Sequence, residues 1–353
     1  MTYIERSREK LNKMTGHPLI LAVETSCDET AAAVVRGRDV ISNIVDSQIE
    51  LHKKYGGVVP EIASREHIKR LQPCVAESLE KAGVTFSDIE AVAVAYGPGL
   101  VGALLTGVSC AKALAFALDV PLIGINHIEA HICANYISNL DLEPPFLCLI
   151  ASGGHTQLVN VCADGGYELV GQTRDDAAGE AFDKIARVLG LPYPGGPNLE
   201  KLAAGGKADK YSFPRGLKGD AGFDFTFSGL KTNVINTLHK MEQRGESYEK
   251  TDVAASFQEA VVDGIASTVK RALKHTGAGK LAMAGGVAAN TALRKRLEQT
   301  AILNGAKFYC PEFKYCTDNA AMIGCAAAMR VKRLGKAAAS GLDLNAQPSL
   351  KLF

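Results

Sequence analysis

Leu19-Ile20-Leu21-Ala22-Val23 runs directly into Glu24-Thr25-Ser26-Cys27-Asp28-Glu29-Thr30, and then into a second apolar run, Ala31 to Val35. Two short apolar runs joined by a compact polar stretch predict a β-hairpin. Its turn is crowded with carboxylates and hydroxyls where Asn-Gly would be usual, a choice that suits a turn facing a polar ligand or a metal. The arrangement returns later in the chain. Phe146 to Ile150 reads as a strand, Ala151-Ser152-Gly153-Gly154-His155-Thr156 as a small, hydroxyl-bearing turn, and Gln157 to Val161 as the returning strand.

Each hairpin opens a similar series of elements. After the first come a helix from about Pro60 through Ile68, Leu71 and Val75 to Lys81, a strand over Ala91–Ala95, and a Gly-rich stretch, Tyr96 to Gly102. An Ala-rich helix expected to be buried (Ala103–Leu118), a strand (Val120–Ile125) and a further helix follow. The second hairpin leads to a strand over Leu281–Ala284, the loop Gly285-Gly286-Val287-Ala288-Ala289-Asn290 and a helix through Leu293 and Leu297. Then come a strand over Ala306–Cys310 and a last helix from about Asn319 through Met329. The repeated order predicts an α/β fold of two duplicated lobes with a nucleotide cleft between them. The lobes are expected over 18–145 and 146–318, with a helical insertion over about 175–256 and a polar, exposed connection from Met241 to Lys250. The last helix (319–340) is expected to pack back on the first lobe, ahead of a tail (341–353). Residues 1–17 are charged, lack an apolar signal core and are expected to form a mobile extension.

Composition narrows the class. With 353 residues and 47% hydrophobic content the chain can bury a large core, while 6% aromatic residues and 35 glycines suit close-packed α/β layers. A formal charge of +1 leaves any basic surface a local matter. No apolar run is long enough to span a bilayer. Nine cysteines are scattered without a CxxC pair, which suits a reducing cytoplasm; Cys310 and Cys316 read either as metal ligands or as small buried hydrophobes.

Asn126-His127-Ile128-Glu129-Ala130-His131 carries the sharpest chemical signal. At helical spacing His127 and His131 share one face, where they can chelate a cation or simply lie half-exposed; Glu129 points elsewhere. A third ligand is available in Asp318, which reads equally as the N-cap of the last helix. Backbone donors from Ser152 to Thr156 suit phosphate oxygens, and the Gly285-Gly286 turn admits close approach of an adenosine near Asn290. The Gly-rich stretch at 96–102 suits either phosphate or tight helix packing. Neither a P-loop nor a Rossmann fingerprint is present.

The runs ETSCDET (24–30), YGPGLVGAL (96–104), NHIEAH (126–131), SGGHTQL (152–158), DDAAGEAFDK (175–184), YPGGP (193–197), FSGLK (227–231), MAGGVAAN (283–290) and CTDNAAMIG (316–324) together resemble the TsaD family. These are tRNA N6-adenosine threonylcarbamoyltransferases of the actin/hexokinase/Hsp70-like superfamily. The resemblance implies transfer of threonylcarbamoyl from threonylcarbamoyl-AMP to N6 of the adenosine 3′ of the anticodon in tRNAs reading ANN codons. It implies one divalent ion, Fe2+ or Zn2+, on His127, His131 and Asp318. It also implies adenylate contacts from Ile150, Ala151, Ser152, Gly153, Gly154, His155, Asp183, Gly196, Glu200, Gly286 and Asn290, with Asp183 on the ribose. A homologous TsaB-type dimerising partner and a small TsaE-type ATPase are the implied partners, the former expected on the helix from about Glu61 to Leu79.

The exocyclic amine of adenine is a poor nucleophile, so such an enzyme must orient it, polarise the carbamoyl oxygen and take a proton. Glu24 or Asp28 is the expected base. Three basic clusters could meet RNA or be solvated helix faces: Arg65, Lys69 and Arg70; Lys207, Lys210, Arg215 and Lys218; Arg294, Lys295 and Arg296. Ile128 stands where a zinc protease of the His-Glu type needs glutamate, which argues against peptide hydrolysis. A His-His-Asp set argues against a kinase or other phosphotransferase of that superfamily, and the intact motifs argue against a purely regulatory role.

Overall fold

The computed structural model describes residues 1–14, 16–217 and 222–353. The strands are β1 (Leu19–Glu24), β2 (Glu29–Arg36), β3 (Asp39–Ser47), β4 (Ala91–Gly97), β5 (Leu122–Asn126), β6 (Phe146–Ala151), β7 (Thr156–Val161), β8 (Tyr167–Gln172), β9 (Lys280–Ala284) and β10 (Lys307–Tyr309). The helices are α1 (Tyr3–Lys13), α2 (Ile49–His52), α3 (Pro60–Ala82), α4 (Val101–Ala117), α5 (His127–Ser138), α6 (Ala178–Val188), α7 (Gly195–Ala203), α8 (Ser228–Gln243), α9 (Lys250–Thr276), α10 (Thr291–Leu303) and α11 (Ala320–Leu334). The chain forms two compact units, Met1–Leu142 with Thr317–Phe353, and Glu143–Cys316.

Each unit holds a five-stranded mixed sheet of the same order. One is β3-β2-β1-β4-β5, the other β8-β7-β6-β9-β10. In both, the hairpin strands pair antiparallel and the first strand pairs parallel with the strand beyond, β1 with β4 and β6 with β9. The third strand of each sheet, β3 and β8, was not legible from sequence, and the reason is the same in both. Each is an edge strand with a bulge: Ser42 and Val40 pair with consecutive residues of β2, and Gly171 and Leu169 with consecutive residues of β7. The extra residue breaks the period-2 alternation by which a half-buried strand is recognised.

In the first unit, β1 and β4 are buried through Val23 and Val94, and α3 and α4 cover one face through Leu71, Val75, Val108 and Ala111. Each fully buried aliphatic side chain contributes on the order of 1.5–3 kcal/mol to holding this layer together. α11 packs on β1, β2 and α5. Gly324 permits that approach, since a Cβ there would stand 2.7 Å from Val35 Cγ2. α4 is only half buried: Val101, Leu105 and Phe116 are exposed, against the expectation of an enclosed helix.

The N-terminal stretch, expected to be mobile, forms α1. Thr2 and Glu5 make a capping box, Tyr3 Oη donates to Val120 O at 2.7 Å, and Arg6 and Lys10 pair with Asp119 at 3.1 and 2.7 Å. The capping and the ion pairs order a segment whose composition alone reads as solvated. In the second unit α6, α7, α8 and α9 share one core with the sheet, including Phe182 edge-on to Phe257. The polar stretch from Met241 closes α8, and α9 already begins at Lys250. Among the described residues no helix is long and apolar enough to cross a membrane.

Candidate active site

Asn126 ends β5 and caps α5, its Oδ1 accepting from Ile128 N at 2.8 Å and Glu129 N at 3.3 Å. His127 therefore opens the helix and His131 lies one turn on. At the other end of the chain Asn319 caps α11 by accepting from Met322 N at 3.0 Å. That settles the reading of Asp318: the cap is its neighbour, and Asp318 turns toward the histidines. Its Oδ1 lies 3.4 Å from His127 Nε2 and 3.1 Å from His131 Nε2. All three residues belong to the first unit, so Asp318 does not end the second lobe as its sequence position suggested.

His127 Nδ1 faces Glu24 Oε2 at 3.0 Å and Ser26 Oγ at 3.1 Å. Burial pushes the His127 pKa down, but the Asp318 and Glu24 carboxylates outweigh it and hold it well above the ordinary value. Burial would raise Asp318, yet His127 and His131 keep it well below the carboxylate range. Two imidazole nitrogens and one carboxylate oxygen thus converge within 4.8 Å of one another. That donor set fits a divalent cation.

Glu24, with Asp28 one of the two expected proton-handling groups, sits deeper in the turn. It is fully buried, one oxygen against His127 and the other accepting from Ser26 N. A carboxylate so placed can orient the imidazole it touches. Asp28 lies at the lip of the turn, 5% exposed, with a buried Oδ2 that has no hydrogen-bond partner. Glu29, missed from sequence, stands beside it. Burial first, then the Asp318 and Asp28 charges, push the Glu29 carboxyl well above its usual range. Its signal was its neighbour: two adjacent acids at a strand start cannot both ionise freely when buried.

Glu129 points away from the ligand face, as its spacing implied. It is buried against Arg330 at 3.5 Å and Arg333 at 3.8 Å. The Gly-rich stretch at 96–102 serves close packing. Leu100 N donates to Ser26 O at 2.8 Å, Gly99 N to Pro348 O at 3.1 Å, and a Cβ at Gly97 would meet Gln347 O at 2.0 Å.

The second unit gathers the residues implied for adenylate. Ser152 N donates to His155 O at 2.8 Å, closing the turn between β6 and β7, while Gly153 and Gly154 are exposed. A Cβ at either glycine, or at Gly286, would meet nothing within 4 Å. Thr156 Oγ1 accepts from Ala178 N at 2.9 Å, seating the start of α6 against the turn. Asp183 Oδ1 accepts from Gly195 N at 2.8 Å and Gly196 N at 3.2 Å, anchoring the start of α7. Glu200 accepts from Thr291 N at 2.8 Å, and Asn290 caps α10 while donating to Gln258 at 2.9 Å. Ile150 and Ala151 are fully buried strand residues, so their side chains belong to the core.

The basic clusters are largely paired internally. Arg65 meets Glu61 at 2.8 Å, Lys69 meets Glu66 at 2.6 Å, and Arg70 meets Asp46 at 2.6 Å. Arg215 pairs with Asp263, Arg296 with Glu259 at 2.6 Å, and Arg294 donates to Pro311 O at 2.8 Å. Lys218 lies outside the described residues. Cys310 is part-buried, its thiol pushed up to about 12 by burial, and Cys316 is fully buried.

A family model described as TsaD, tRNA N6-adenosine threonylcarbamoyltransferase, matches residues 39–325. The chain belongs to this family. The tRNA N6-adenosine threonylcarbamoyltransferase of Clostridium perfringens (strain SM101) is 56% identical over 335 residues, covering 95% of this chain and 98% of that protein. The like-named protein of Halalkalibacterium halodurans is 52% identical over 340 residues, with 96% and 98% covered. Among solved structures, full-length HypF in its phosphate- and nucleotide-bound form superimposes with a TM-score of 0.61 at 17% identity. The match covers 93% of this chain and 48% of HypF, and it speaks for the fold alone. The (R)-2-hydroxyglutaryl-CoA dehydratase component A of Acidaminococcus fermentans gives 0.51 at 15% identity, covering 90% of this chain and all of that one. The fold is thus the actin/hexokinase-like one that the family resemblance implied, and the chain is a transferase that modifies tRNA.

Proposed function

We propose that the chain transfers threonylcarbamoyl from threonylcarbamoyl-AMP to N6 of the adenosine 3′ of the anticodon in tRNAs reading ANN codons, releasing AMP. The observation that carries this reading is the convergence of His127, His131 and Asp318 within one unit, backed by Glu24 and bordered by the Asp28–Glu29 pair. His127, His131 and Asp318 would hold one Fe2+ or Zn2+, and a bound ion supplies Lewis-acid polarisation and a template for the acyl group.

The chain's own residues do the rest. Ser152–His155, the open glycines and the Asp183-anchored start of α7 receive the adenylate. N6 attacks the carbamoyl carbon, the bond to the phosphate oxygen breaks, and AMP leaves with that electron pair. Asp28, whose Oδ2 has no hydrogen-bond partner, accepts the proton released from N6. The target base is in an unpaired loop, so splaying it out costs little. A zinc-protease reading fails because the only glutamate of the His motif, Glu129, is buried against two arginines.

The partners in this reading are a homologous TsaB-type protein and a small TsaE-type ATPase, in the cytoplasm. Ile68 on α3 is 69% exposed, and Val101 and Leu105 on the adjoining α4 are exposed as well, which suits an apolar dimerising contact there.

Transfer of labelled threonine into an ANN-decoding tRNA tests the function. The mixture holds ATP, bicarbonate, the enzyme that makes threonylcarbamoyl-AMP and the two partner proteins. Label is expected with the wild-type chain and not with His131→Ala or without the chain. Equal labelling in its absence would sink the catalytic assignment.

A further inference from the structure

The turn that carries Asp28 and Glu29 is braced by a buried imidazole outside the metal site. His67, on α3, is fully buried, and its two ring nitrogens reach the residues on either side of the acid pair. Nε2 donates to Cys27 O at 2.9 Å, and Nδ1 accepts from Thr30 Oγ1 at 2.8 Å. One ring therefore brackets Asp28-Glu29 from residue 27 to residue 30.

The ring's own orientation is held from behind. Val59 N donates to His52 Nδ1 at 3.3 Å, which leaves His52 Nε2 to donate to Gln48 Oε1 at 3.2 Å. Gln48 Nε2 then donates to Ala63 O at 3.3 Å and faces His67 Nδ1 at 3.5 Å. Gln48 also touches the turn itself, its N donating to Asp28 O at 3.0 Å. Every hydrogen in this chain has a single consistent direction, so both imidazoles are fixed as the Nε2–H tautomer. Burial pushes the His67 pKa down, which keeps the ring neutral and Nδ1 an acceptor. A fully enclosed chain of two histidines and a glutamine is costly to build into an apolar layer unless every polar atom is satisfied. Here the satisfied bonds end on the two residues that flank the acids.

We propose that His67 is a positioning residue for the transfer reaction, aiming the Asp28–Glu29 carboxyl pair by clamping Cys27 O and Thr30 Oγ1. The proposal rests on the reading of that pair as the proton-handling group. His67 touches no substrate; it acts through the backbone of the turn.

Three substitutions separate the two bonds. His67→Gln keeps a donor where Nε2 stood, His67→Asn keeps an acceptor where Nδ1 stood, and Thr30→Val removes the hydroxyl while keeping its shape. Turnover would be measured in the labelled-tRNA assay with partner proteins, alongside metal content and KM for threonylcarbamoyl-AMP. Each variant is expected to lose about tenfold or more in kcat, equivalent to about 1.4 kcal/mol. Metal content and KM should stay at the wild-type level. In an Asp28→Asn background the same substitutions should add little further loss, because both changes act on one group.

Two results would overturn the inference alone: Asp28→Asn is impaired while His67→Gln and Thr30→Val turn over like wild type, or the losses multiply in full in the Asp28→Asn background. If Asp28→Asn and Glu29→Gln themselves turn over like wild type, the carboxyl reading falls and takes the bracket with it. Should either His67 variant fold poorly, Thr30→Val decides, since it leaves the ring in place.

Discussion

The two hairpin turns occupy the same place in two sheets of the same order, yet they are built in opposite ways. The turn between β1 and β2 is enclosed, with Glu24, Thr25, Ser26 and Asp28 all buried; Glu24 is held by His127 and Ser26 N and Thr25 by Ala103 O, while Asp28 Oδ2 has no hydrogen-bond partner. The turn between β6 and β7 is open, with Gly153 and Gly154 exposed and clear space where side chains would be. Topology places a turn; residue type decides whether it becomes an ionic site or a cradle of backbone groups. Charged side chains can be held at a fixed distance only when packing locks them, and that requires burial. Backbone N–H groups are oriented by the turn itself and need only be left uncovered.

The sharpest way to break that contrast is His131→Ala. It should abolish metal retention and lower transfer by more than the about 10–100-fold that loss of an outer partner costs. Binding of AMP, followed by calorimetry, should be unchanged. Joint loss of both would mean that the two turns do not serve separate tasks.

Glu24→Gln comes next. It keeps the shape but weakens the contact to His127 Nδ1, so metal affinity should fall about 10–100-fold, read by competition with a chelating dye. Unaltered affinity would show that Glu24 is no more than core.

Gly154→Val tests the open turn. Metal content and melting temperature should stay as they are, while KM for threonylcarbamoyl-AMP rises about tenfold, close to 1.4 kcal/mol. A wild-type KM would remove this turn from the adenylate site.

The smallest effect is expected at a carboxylate of the second unit that serves no site. Burial tends to raise Asp176, but Lys231 and Lys184, the latter 3.2 Å away, hold it below the usual range. A carboxyl whose folded pKa is depressed contributes stability above its unfolded pKa and loses it as pH falls through the folded value. Asp176→Asn should therefore destabilise by about 1 kcal/mol or less at neutral pH, and urea melts of the two proteins should converge in acid. A large loss of transfer would instead place Asp176 in the chemistry, unlike the buried-versus-open scheme above.

Much of this was set locally and could be read from sequence. Two histidines four apart on a helix share a face wherever that helix lies, because helix geometry is intrinsic to the chain. Apolar runs flanking a polar turn make a hairpin for the same reason, and the recurrence of hairpin, helix and Gly loop gave away the duplication. What depends on long-range packing stayed hidden. Asp318 reaches the histidines because Asn319 takes the cap and Gly324 lets α11 close on β1 and β2. The contact of Glu24 with His127 exists because α5 brings the imidazole against it. The Glu29 carboxyl is pushed well above its usual range only because burial and the nearby Asp318 and Asp28 charges meet there. The bulged edge strands β3 and β8 are held by pairing with β2 and β7, which no local period records. Spacing along one element is a property of the chain; distance between elements is a property of the packed layers, and the chemistry lies in those distances.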